Sequence, residues 1–236
     1  MRPEEAAYLG AWLSMQAPSD LSPLIELGAS TQAFLETHPH VENDLLGPLV
    51  RRGVRIFKTD LQPGPHIDIE GDIYDPAVRA KLRAVSAKCV LCCNIFEHVA
   101  DRGTFARTCD EILSPGGTIV VTVPQSYPLH MDPIDTYYRP KPAEIAQLFP
   151  GYVVLARDTV VSGTAADDMD TPWLDVPKVI RRAVLLRGGV DASKARLHRL
   201  LWLFRHYRIS VAILRKPTAS PASSAGVAQH VRPSES

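Results

Sequence analysis

The sequence predicts an α/β protein with a doubly wound, seven-stranded and mostly parallel β-sheet. Residues 89–93 and 118–124 are short apolar runs, and residues 105–113 between them carry apolar side chains at helical spacing. Strand, helix, tight turn and strand form a parallel βαβ unit, and apolar runs without alternation indicate strands that are covered on both faces. About seven strand-like segments alternate with helices along the chain, which is typical of a doubly wound sheet.

The composition fits one large α/β domain or two small ones. The chain has 236 residues, of which 45% are hydrophobic and 22% are charged, so it has ample material for a core. We expect residues 1–216 to form a single domain in which 162–206 is an insertion before the last strand. Residues 217–236 have low complexity, and we predict a disordered tail there.

Charge and hydropathy limit the expected partners and location. The formal net charge is zero, so no global field draws the chain to nucleic acid or to a membrane. No segment approaches the roughly 20 apolar residues that span a bilayer, and the N-terminus lacks the apolar core of a signal peptide. We therefore expect a cytoplasmic protein with no nucleic-acid partner and no transmembrane segment.

The first part of the chain contains strands that end at polar residues. The predicted elements are a helix at 4–16, a strand from Leu24 that enters a turn by Thr31, a helix from Ser30 or Thr31, a loop or broken helix at 37–44, a short helix at 45–52, and strands at 54–60 and 67–72. Ser and Thr are both competent helix caps.

The second part continues the alternation of helices and strands. The predicted elements are a helix after Asp75-Pro76, the βαβ unit, a polar loop from Pro124 to Arg139, a helix at 142–149, a strand at 152–161, an irregular segment at 162–193 with a short helix near 177–187, a helix at 194–206, and a strand at 208–214. Asp75 and Asp101 are predicted helix caps, and Ser114-Pro115-Gly116-Gly117 predicts a type II turn with Gly116 at positive φ.

Cys89 and Cys92 have the spacing of half a zinc site, but their context favours another interpretation. Residues three apart in a strand point to opposite faces, so the two sulfur atoms diverge. No second pair completes four ligands. We predict that these cysteines are buried free thiols.

Polar side chains follow the predicted strands, where open α/β sheets place their ligands. Glu26, Asp60 and Asp72 are carboxylates at three successive strand ends, and Asn94 follows the next strand. Such a series indicates a ligand that is rich in hydrogen-bond donors. Gly28 lets the backbone approach that ligand, but the later glycines of the dinucleotide motif are absent, which argues against NAD.

These motifs resemble those of class I S-adenosylmethionine-dependent methyltransferases of the small-molecule type. The resemblance covers roughly residues 20–160 and the closing strand, and it rests on Glu26-Leu-Gly28-Ala-Ser30, Asp60, Asp72-Ile73, Asn94-Ile-Phe-Glu-His-Val99 and Leu113-Ser-Pro-Gly-Gly117. It implies the Rossmann-like methyltransferase fold with an antiparallel last strand and S-adenosylmethionine as cofactor. It also implies a role for each motif: the first motif lies at the cofactor, Asp60 binds the ribose, Asp72 and Ile73 flank the adenine, and Asn94 lies near the methionine end. Ser30 and Gln32 stand where the family has its later glycines.

The acceptor side is predicted from the loop after the 118–124 strand. Methyl transfer is an in-line displacement, so alignment supplies most of the rate, and a hydroxyl acceptor gains from a general base. His130 and Asp132 are the candidates for that base or for substrate contact, and the alternative is a solvated loop. His98 is a second candidate, more often kept for structure. No group of residues in the sequence has the spacing of a complete set of metal ligands, so we predict no metal site.

The segment 178–216 is rich in Lys and Arg and contains one acid, Asp191. We predict a buried stripe of Leu197, Leu200, Leu201 and Phe204 on its helix, with Trp202 among the basic residues. The basic face is either solvated or a dock for an anionic substrate, a membrane surface or a second subunit in a homodimer.

Three functions are compatible with the sequence. The first is a methyltransferase that acts on a small-molecule or carbohydrate-like acceptor, at oxygen. The second is a non-catalytic relative with a weakened cofactor site, which the glycine-poor first motif favours. The third, an NAD-dependent oxidoreductase, needs a phosphate loop that this turn does not offer.

Overall fold

The computed structural model describes residues 1–29, 32–129, 134–169, 177 and 201–218. The helices are α1 (Pro3–Ser14), α2 (Pro18–Leu21), α3 (Gln32–Thr37), a π-helix (Val41–Leu46), α4 (Gly47–Arg51), α5 (Pro76–Ala84), a 3₁₀ helix (Phe96–His98), α6 (Arg102–Ile112) and α7 (Pro142–Gln147). The strands are β1 (Leu24–Leu27), β2 (Ile56–Asp60), β3 (Ile69–Glu70), β4 (Ala87–Cys93), β5 (Leu113–Ser126), β6 (Val153–Val161) and β7 (Arg208–Arg215).

The seven strands form one sheet in the order β3-β2-β1-β4-β5-β7-β6. Strands β1 to β5 pair in parallel, whereas β7 runs antiparallel to both of its neighbours, β5 and β6. The predicted doubly wound, mostly parallel sheet with an antiparallel last strand is confirmed. Because β1 and β4 are neighbours while β2 and β5 lie outside them, the chain reverses its winding at the β1–β4 pair, and a crevice opens there at the carboxyl ends.

A hydrophobic layer covers each face of the sheet. On β4, Val90 and Cys92 belong to the layer under α5, α6 and α7, whereas Cys89 and Leu91 belong to the layer under α1, the π-helix and α4. All four cysteines are free thiols, and Cys89 and Cys92 lie on opposite faces. The prediction that these cysteines are packing residues is confirmed.

The predicted helix caps are present, whereas the predicted tight turn is part of a strand. Asp75 accepts a hydrogen bond from the N–H of Ala77, and Asp101 accepts one from the N–H of Thr104. Gly116 has a φ of 78°, in the left-handed region expected for it. Residues 114–117 do not form a separate turn before the strand, however, but lie within β5 as an irregularity between the Ala87–Leu113 and Cys89–Thr118 pairs. These local signals were readable because each cap contacts only residues two or three positions away.

Two segments differ from the sequence prediction. The loop or broken helix expected at 37–44 contains the start of a π-helix, whose wider turn lies against Gly10 of α1. A Cβ at Gly10 would lie inside van der Waals contact of the Asp44 carbonyl oxygen, so the two helices pack backbone to backbone. The strand expected at 67–72 shortens to Ile69–Glu70 because only these residues pair with β2.

The predicted buried stripe is wrong where the structure describes it. Leu201 and Phe204 are 58% and 71% exposed, whereas Trp202 and its neighbour Leu203 are buried. Residues 202–204 are in turns, and the Trp202 carbonyl accepts a hydrogen bond from the N–H of Ala165, which seats the indole against the ring of Tyr207. Leu197, Leu200 and the helix near 177–187, apart from residue 177 itself, lie outside the described residues, as does the tail from residue 219. Within the described ranges, no helix is both long and apolar enough to cross a membrane.

Candidate functional site

The strand register brings the predicted site residues to one edge of the sheet. Leu27 of β1 pairs with Thr59 of β2 on one side and with Cys92 of β4 on the other. Gly28, Asp60 and Asn94 follow these three residues within one or two positions. Adjacent strands are about 4.8 Å apart, so these residues form a short row across the crevice.

The turn between β1 and α3 has the close backbone approach that its glycine predicted. Gly28 has a φ of 62°, and a Cβ at this position would lie 3.1 Å from Cδ1 of Ile95. The N–H of Ala29 donates to the Thr59 carbonyl, which fixes the turn to β2. Glu26 is buried on β1 just before the turn. Ser30 lies outside the described residues.

The two aspartates after β2 and β3 are held by local backbone bonds. Oδ1 of Asp60 accepts from the N–H of Gln62 at 2.8 Å, and its Oδ2 accepts no hydrogen bond from any residue that the structure describes. Oδ1 of Asp72 accepts from the N–H of Tyr74 at 2.8 Å, and this side chain is exposed. Ile73 is half-buried against the core. Each aspartate is therefore oriented, and Asp60 presents a second oxygen to the crevice edge.

Asn94 occupies a left-handed conformation at the end of β4. Its φ is 55°, and its N–H donates to the Thr122 carbonyl of β5 at 2.9 Å. Its side-chain amide donates to Oε1 of Glu5 in α1 at 3.0 Å, and the same oxygen accepts from Oγ1 of Thr122 at 2.6 Å. Glu5 is 1% exposed, so a buried carboxylate from the N-terminal helix is part of the site.

Glu5 was missed by the sequence reasoning, although a signal was available. Glu5, Leu9 and Leu13 are spaced four residues apart, and all three are buried on the same side of α1. A carboxylate at a core position of an amphipathic helix indicates a buried polar partner. The partners themselves, Asn94 and Thr122, lie 89 and 117 residues away, and no local pattern identifies them.

Glu97 is a buried carboxyl group in the 3₁₀ helix. Neither of its side-chain oxygens is within hydrogen-bonding geometry of another described residue, and Nε2 of His98 is 3.8 Å from Oε1. Burial raises the pKa of Glu97 to about 7. The negative charges of Glu5 and Asp135 also raise this pKa, whereas the positive charge of Arg139 lowers it. At neutral pH, Glu97 is therefore close to its titration midpoint and carries a proton part of the time.

The loop after β5 folds onto this 3₁₀ helix. The N–H and Oγ1 of Thr136 both donate to the Glu97 carbonyl at 2.8 Å, and Nδ1 of His98 is 2.5 Å from the Ile134 carbonyl oxygen. Arg139 forms a two-pronged pair with Asp135, with nitrogen–oxygen distances of 2.6 and 3.1 Å. The loop is thus fastened beside Asn94. His130 and Asp132, which belong to the same loop, lie outside the described residues.

The arrangement provides acceptors and negative charge rather than a metal cage. Buried carboxylates, represented by Glu5, Glu26 and Glu97, surround the end of β4, and Asp60 lies at the neighbouring strand end. Such a site suits a ligand that carries hydroxyl and N–H donors and positive charge. In the part of the chain that the structure describes, no three His, Cys, Asp or Glu side chains are placed to hold a metal ion.

Comparisons with known proteins agree with the fold. No family model matches the chain. A ubiquinone biosynthesis O-methyltransferase from Caulobacter sp. (strain K31) is 45% identical over 51 residues, which is 20% of this chain and 20% of that protein. The chain therefore matches only a fifth of the length of this curated relative.

Solved structures cover nearly the whole chain at low sequence identity. The crystal structure of coclaurine N-methyltransferase bound to N-methylheliamine and S-adenosylhomocysteine (SAH) is 14% identical, with a TM-score of 0.50, and covers 90% of this chain and 70% of that one. A SAM-dependent methyltransferase from Archaeoglobus fulgidus is 14% identical, with a TM-score of 0.48, and covers 90% and 93%. Together with the strand order, the first of these likenesses shows that the chain has the class I methyltransferase fold.

Proposed function

We propose that this protein is an S-adenosylmethionine-dependent methyltransferase that acts on a small-molecule acceptor. The observation that carries the proposal is the row of Gly28, Asp60 and Asn94 across the carboxyl edge of β1, β2 and β4, with Glu26 buried on β1 just before it. In a sheet of this topology, that edge is the ligand-binding edge. The partial likeness to an O-methyltransferase supports the same activity.

Each residue of the row has a chemical role toward the cofactor. The unpaired Oδ2 of Asp60 accepts from a ribose hydroxyl, while Asp72 and Ile73 border the adenine. The turn at Gly28 brings the backbone close to the cofactor, and Ser30 follows it in the sequence of the first motif. Glu26 and Asn94 lie at the methionine end, where an ammonium group needs an acceptor. S-adenosylmethionine, once bound, supplies a methyl group on a positively charged sulfur.

The electrostatics of the crevice favour a cationic cofactor. Glu5, Glu26 and Glu97 are buried near the end of β4: Glu5 accepts a hydrogen bond from Asn94, Glu97 follows Asn94 by three residues, and Glu26 pairs with Leu91 of β4. The Arg139 charge is already paired with Asp135. The local excess of carboxylates attracts the sulfonium and ammonium charges more strongly than water does, because burial reduces screening. The product, SAH, lacks the sulfonium charge, so the same field favours its release.

The acceptor belongs to the side of the crevice that the loop after β5 borders. We propose methyl transfer to an oxygen of a carbohydrate-like or other hydroxyl-bearing molecule, with His130 or Asp132 receiving the hydroxyl proton as the oxygen–methyl bond forms and the sulfonium becomes a thioether. The O-methyltransferase relative supports oxygen as the acceptor atom. His98 is a positioning residue, since its Nδ1 contacts the Ile134 carbonyl.

Isothermal titration with SAH tests the cofactor half of the proposal. We expect saturable binding by the full chain, and no detectable heat at millimolar SAH would sink the enzyme hypothesis. His130→Ala should then lower turnover of an identified acceptor while leaving SAH affinity and thermal stability unchanged. Equal turnover would remove His130 as the base.

A non-catalytic, ligand-binding role is the second candidate. Ser30 and Gln32 replace glycines that would widen the first turn, and the Asn94 amide is already engaged by Glu5. This role predicts weak SAH binding and no methyl transfer to any hydroxyl compound in a radiolabelled-methyl screen. Methylation of one compound class in that screen would exclude it.

A further inference from the structure

A basic cavity lies at the carboxyl end of β5. Its volume is about 390 Å³, and it is lined by Gln125, Ser126, Arg205, His206 and Arg208. Three of these five residues are basic, and none is acidic. The volume is in the range of sites that enclose a small molecule.

Among the residues that the structure describes, the two arginines of this cavity have no carboxylate partners. Neither the Arg205 nor the Arg208 guanidinium forms an ion pair or hydrogen bond with a described residue, although other arginine side chains such as that of Arg139 do. The Arg205 guanidinium lies 5.0 Å from the ring centre of Trp202, which orients it, and Nδ1 of His206 is 3.1 Å from the Ser162 carbonyl oxygen. Two guanidinium groups with free N–H donors are suited to a planar carboxylate or a phosphate.

Gln125 adds a requirement for a hydrogen-bond donor. Its side-chain oxygen is buried and has no hydrogen-bond partner among the residues that the structure describes. A buried amide oxygen without a donor costs free energy, which a ligand hydroxyl at this position would recover. The cavity therefore suits a ligand that carries both an anionic group and a hydroxyl.

The cavity and the proposed methyl-transfer site both border strand β5, and the strand register gives the distance between them. The Thr122 carbonyl accepts a hydrogen bond from the N–H of Asn94. Ser126, at the end of the same strand, pairs with Arg208 of β7. Gln125 follows Thr122 by three residues, which is about 10 Å at the rise of a β-strand. This separation matches the length of a molecule of one or two sugar rings.

We propose that this cavity binds the carboxylate or phosphate of an anionic, hydroxyl-bearing acceptor and so sets the class of substrate. That the bound molecule is the methyl acceptor rests on the proposed methyltransferase function. The anion site itself rests only on Arg205, Arg208 and Gln125. It narrows the acceptor from hydroxyl compounds in general to acidic sugars, sugar phosphates and molecules of that chemistry.

Calorimetric titrations of the full chain at fixed ionic strength test this site. The probes are glucuronate for a carboxylate, glucose 1-phosphate for a phosphate, and glucose as the neutral control. The variants are Arg208→Gln and the double variant Arg205→Gln/Arg208→Gln. Arg215→Gln is the matched control, because Arg215 is exposed at the opposite end of the same strand, β7, outside the cavity. SAH is titrated into every variant.

We expect at least one anionic sugar to bind more tightly than glucose, and the preferred probe identifies carboxylate or phosphate as the group recognised. The double variant should weaken that binding by at least about tenfold, as the loss of charge-assisted hydrogen bonds requires, and Arg215→Gln should not. Affinity for both anions no higher than for glucose, or an equal effect of Arg208→Gln and Arg215→Gln, would overturn the proposal. Failure of SAH to bind while the anion still binds contradicts only the methyltransferase function.

Discussion

Three carboxyl groups near the carboxyl edge of this sheet have different environments. Asp60 is partly exposed and keeps one oxygen available, and Glu5 is buried and accepts hydrogen bonds from Asn94 and Thr122. Glu97 is buried, and no other described residue donates a hydrogen bond to its carboxyl group. Their expected behaviour differs accordingly. A paired carboxylate orients its partners, an available one binds ligand, and a buried one without donors shifts its protonation.

Replacement of Asp60 tests the ligand-binding role directly. Asp60→Ala should weaken SAH binding by about 1–3 kcal/mol, the usual cost of leaving polar ligand groups unpaired. The measurement is a calorimetric Kd at fixed pH. Asp20→Ala is the control, since Asp20 is exposed in α2, before the amino end of β1. An unchanged Kd in Asp60→Ala would remove this residue from the site.

The raised pKa of Glu97 makes a prediction about stability and pH. In the unfolded chain this carboxyl ionises near its ordinary value of 4.5, whereas the folded protein retains the proton to about 7. The folded state therefore binds more protons between these values, and the stability present below pH 4.5 is lost as pH rises through about 7. The total loss is on the order of 3 kcal/mol.

Glu97→Gln should remove this dependence, because the amide does not titrate. Relative to the wild type, the variant should gain stability between pH 5 and pH 8, as measured by urea denaturation at both values. Glu36→Gln removes a charge from an exposed position in α3 and serves as the control. The same stability difference at pH 5 and pH 8 for Glu97→Gln would contradict the assigned burial effect.

At the scale of elements, α1 is a part of the site rather than a leading appendage. Its buried side ends at Glu5, and its first turn is fastened to the segment after β6, where Arg2 pairs with Asp168 and Glu4 accepts from Ser162. The sequence predicted the helix correctly but not these contacts. Periodicity identifies a buried face, whereas the partner of that face depends on how the whole chain folds.

Packing of α1 against the π-helix gives an element-scale prediction. Gly10→Ala should destabilise the protein by about 1–3 kcal/mol, because the added methyl group forces the helix away from the Asp44 carbonyl. Gly103→Ala in α6 is the matched control, since its Cβ would meet only side-chain atoms at 3.5 Å or more. There the ordinary helix preference for Ala should leave stability equal or higher. Equal effects at the two positions, measured by chemical denaturation, would contradict the close packing.

At the scale of the whole molecule, the topology was predictable to a large extent and the site only in part. Buried strands and caps such as Asp101 are local signals, and right-handed crossover rules then leave few arrangements. The common location of Asp60 and Asn94 was predictable because parallel strands bring their carboxyl ends to one edge, whereas their contact with a ligand stays a prediction. Glu5 contributes through contacts across about half the chain, and no pattern in sequence encodes such a contact.

The basic segment 178–216 is a second case in which long-range contacts could not be predicted from the sequence pattern. An expected helical stripe placed Leu201 and Phe204 inside, and the structure instead buries Trp202 through contacts with the ring of Tyr207 and the backbone of Ala165. The periodicity argument presumes that residues 202–204 are helical, whereas the structure places them in turns. The cavity between Gln125 and Arg208 joins two distant parts of the chain, so it could not be derived from spacing alone.

The thiols of β4 provide an internal reporter of how the molecule opens. β4 is the middle strand of the seven, and Cys89 and Cys92 lie beneath opposite layers of helices. Burial raises the pKa of both thiols, that of Cys89 to about 12, so the reactive thiolate is scarce at pH 8. Alkylation by iodoacetamide then requires the sheet to part from its helices.

We expect both cysteines to be alkylated at one shared, slow rate in the native protein, and that rate to rise together as urea is added. Peptide mass spectrometry after timed quenching measures each site separately. Rapid labelling of one thiol alone would mean that one helical layer detaches without the other. A common rate would instead report cooperative opening of the entire sheet, and it would yield the free energy of that opening without an added label.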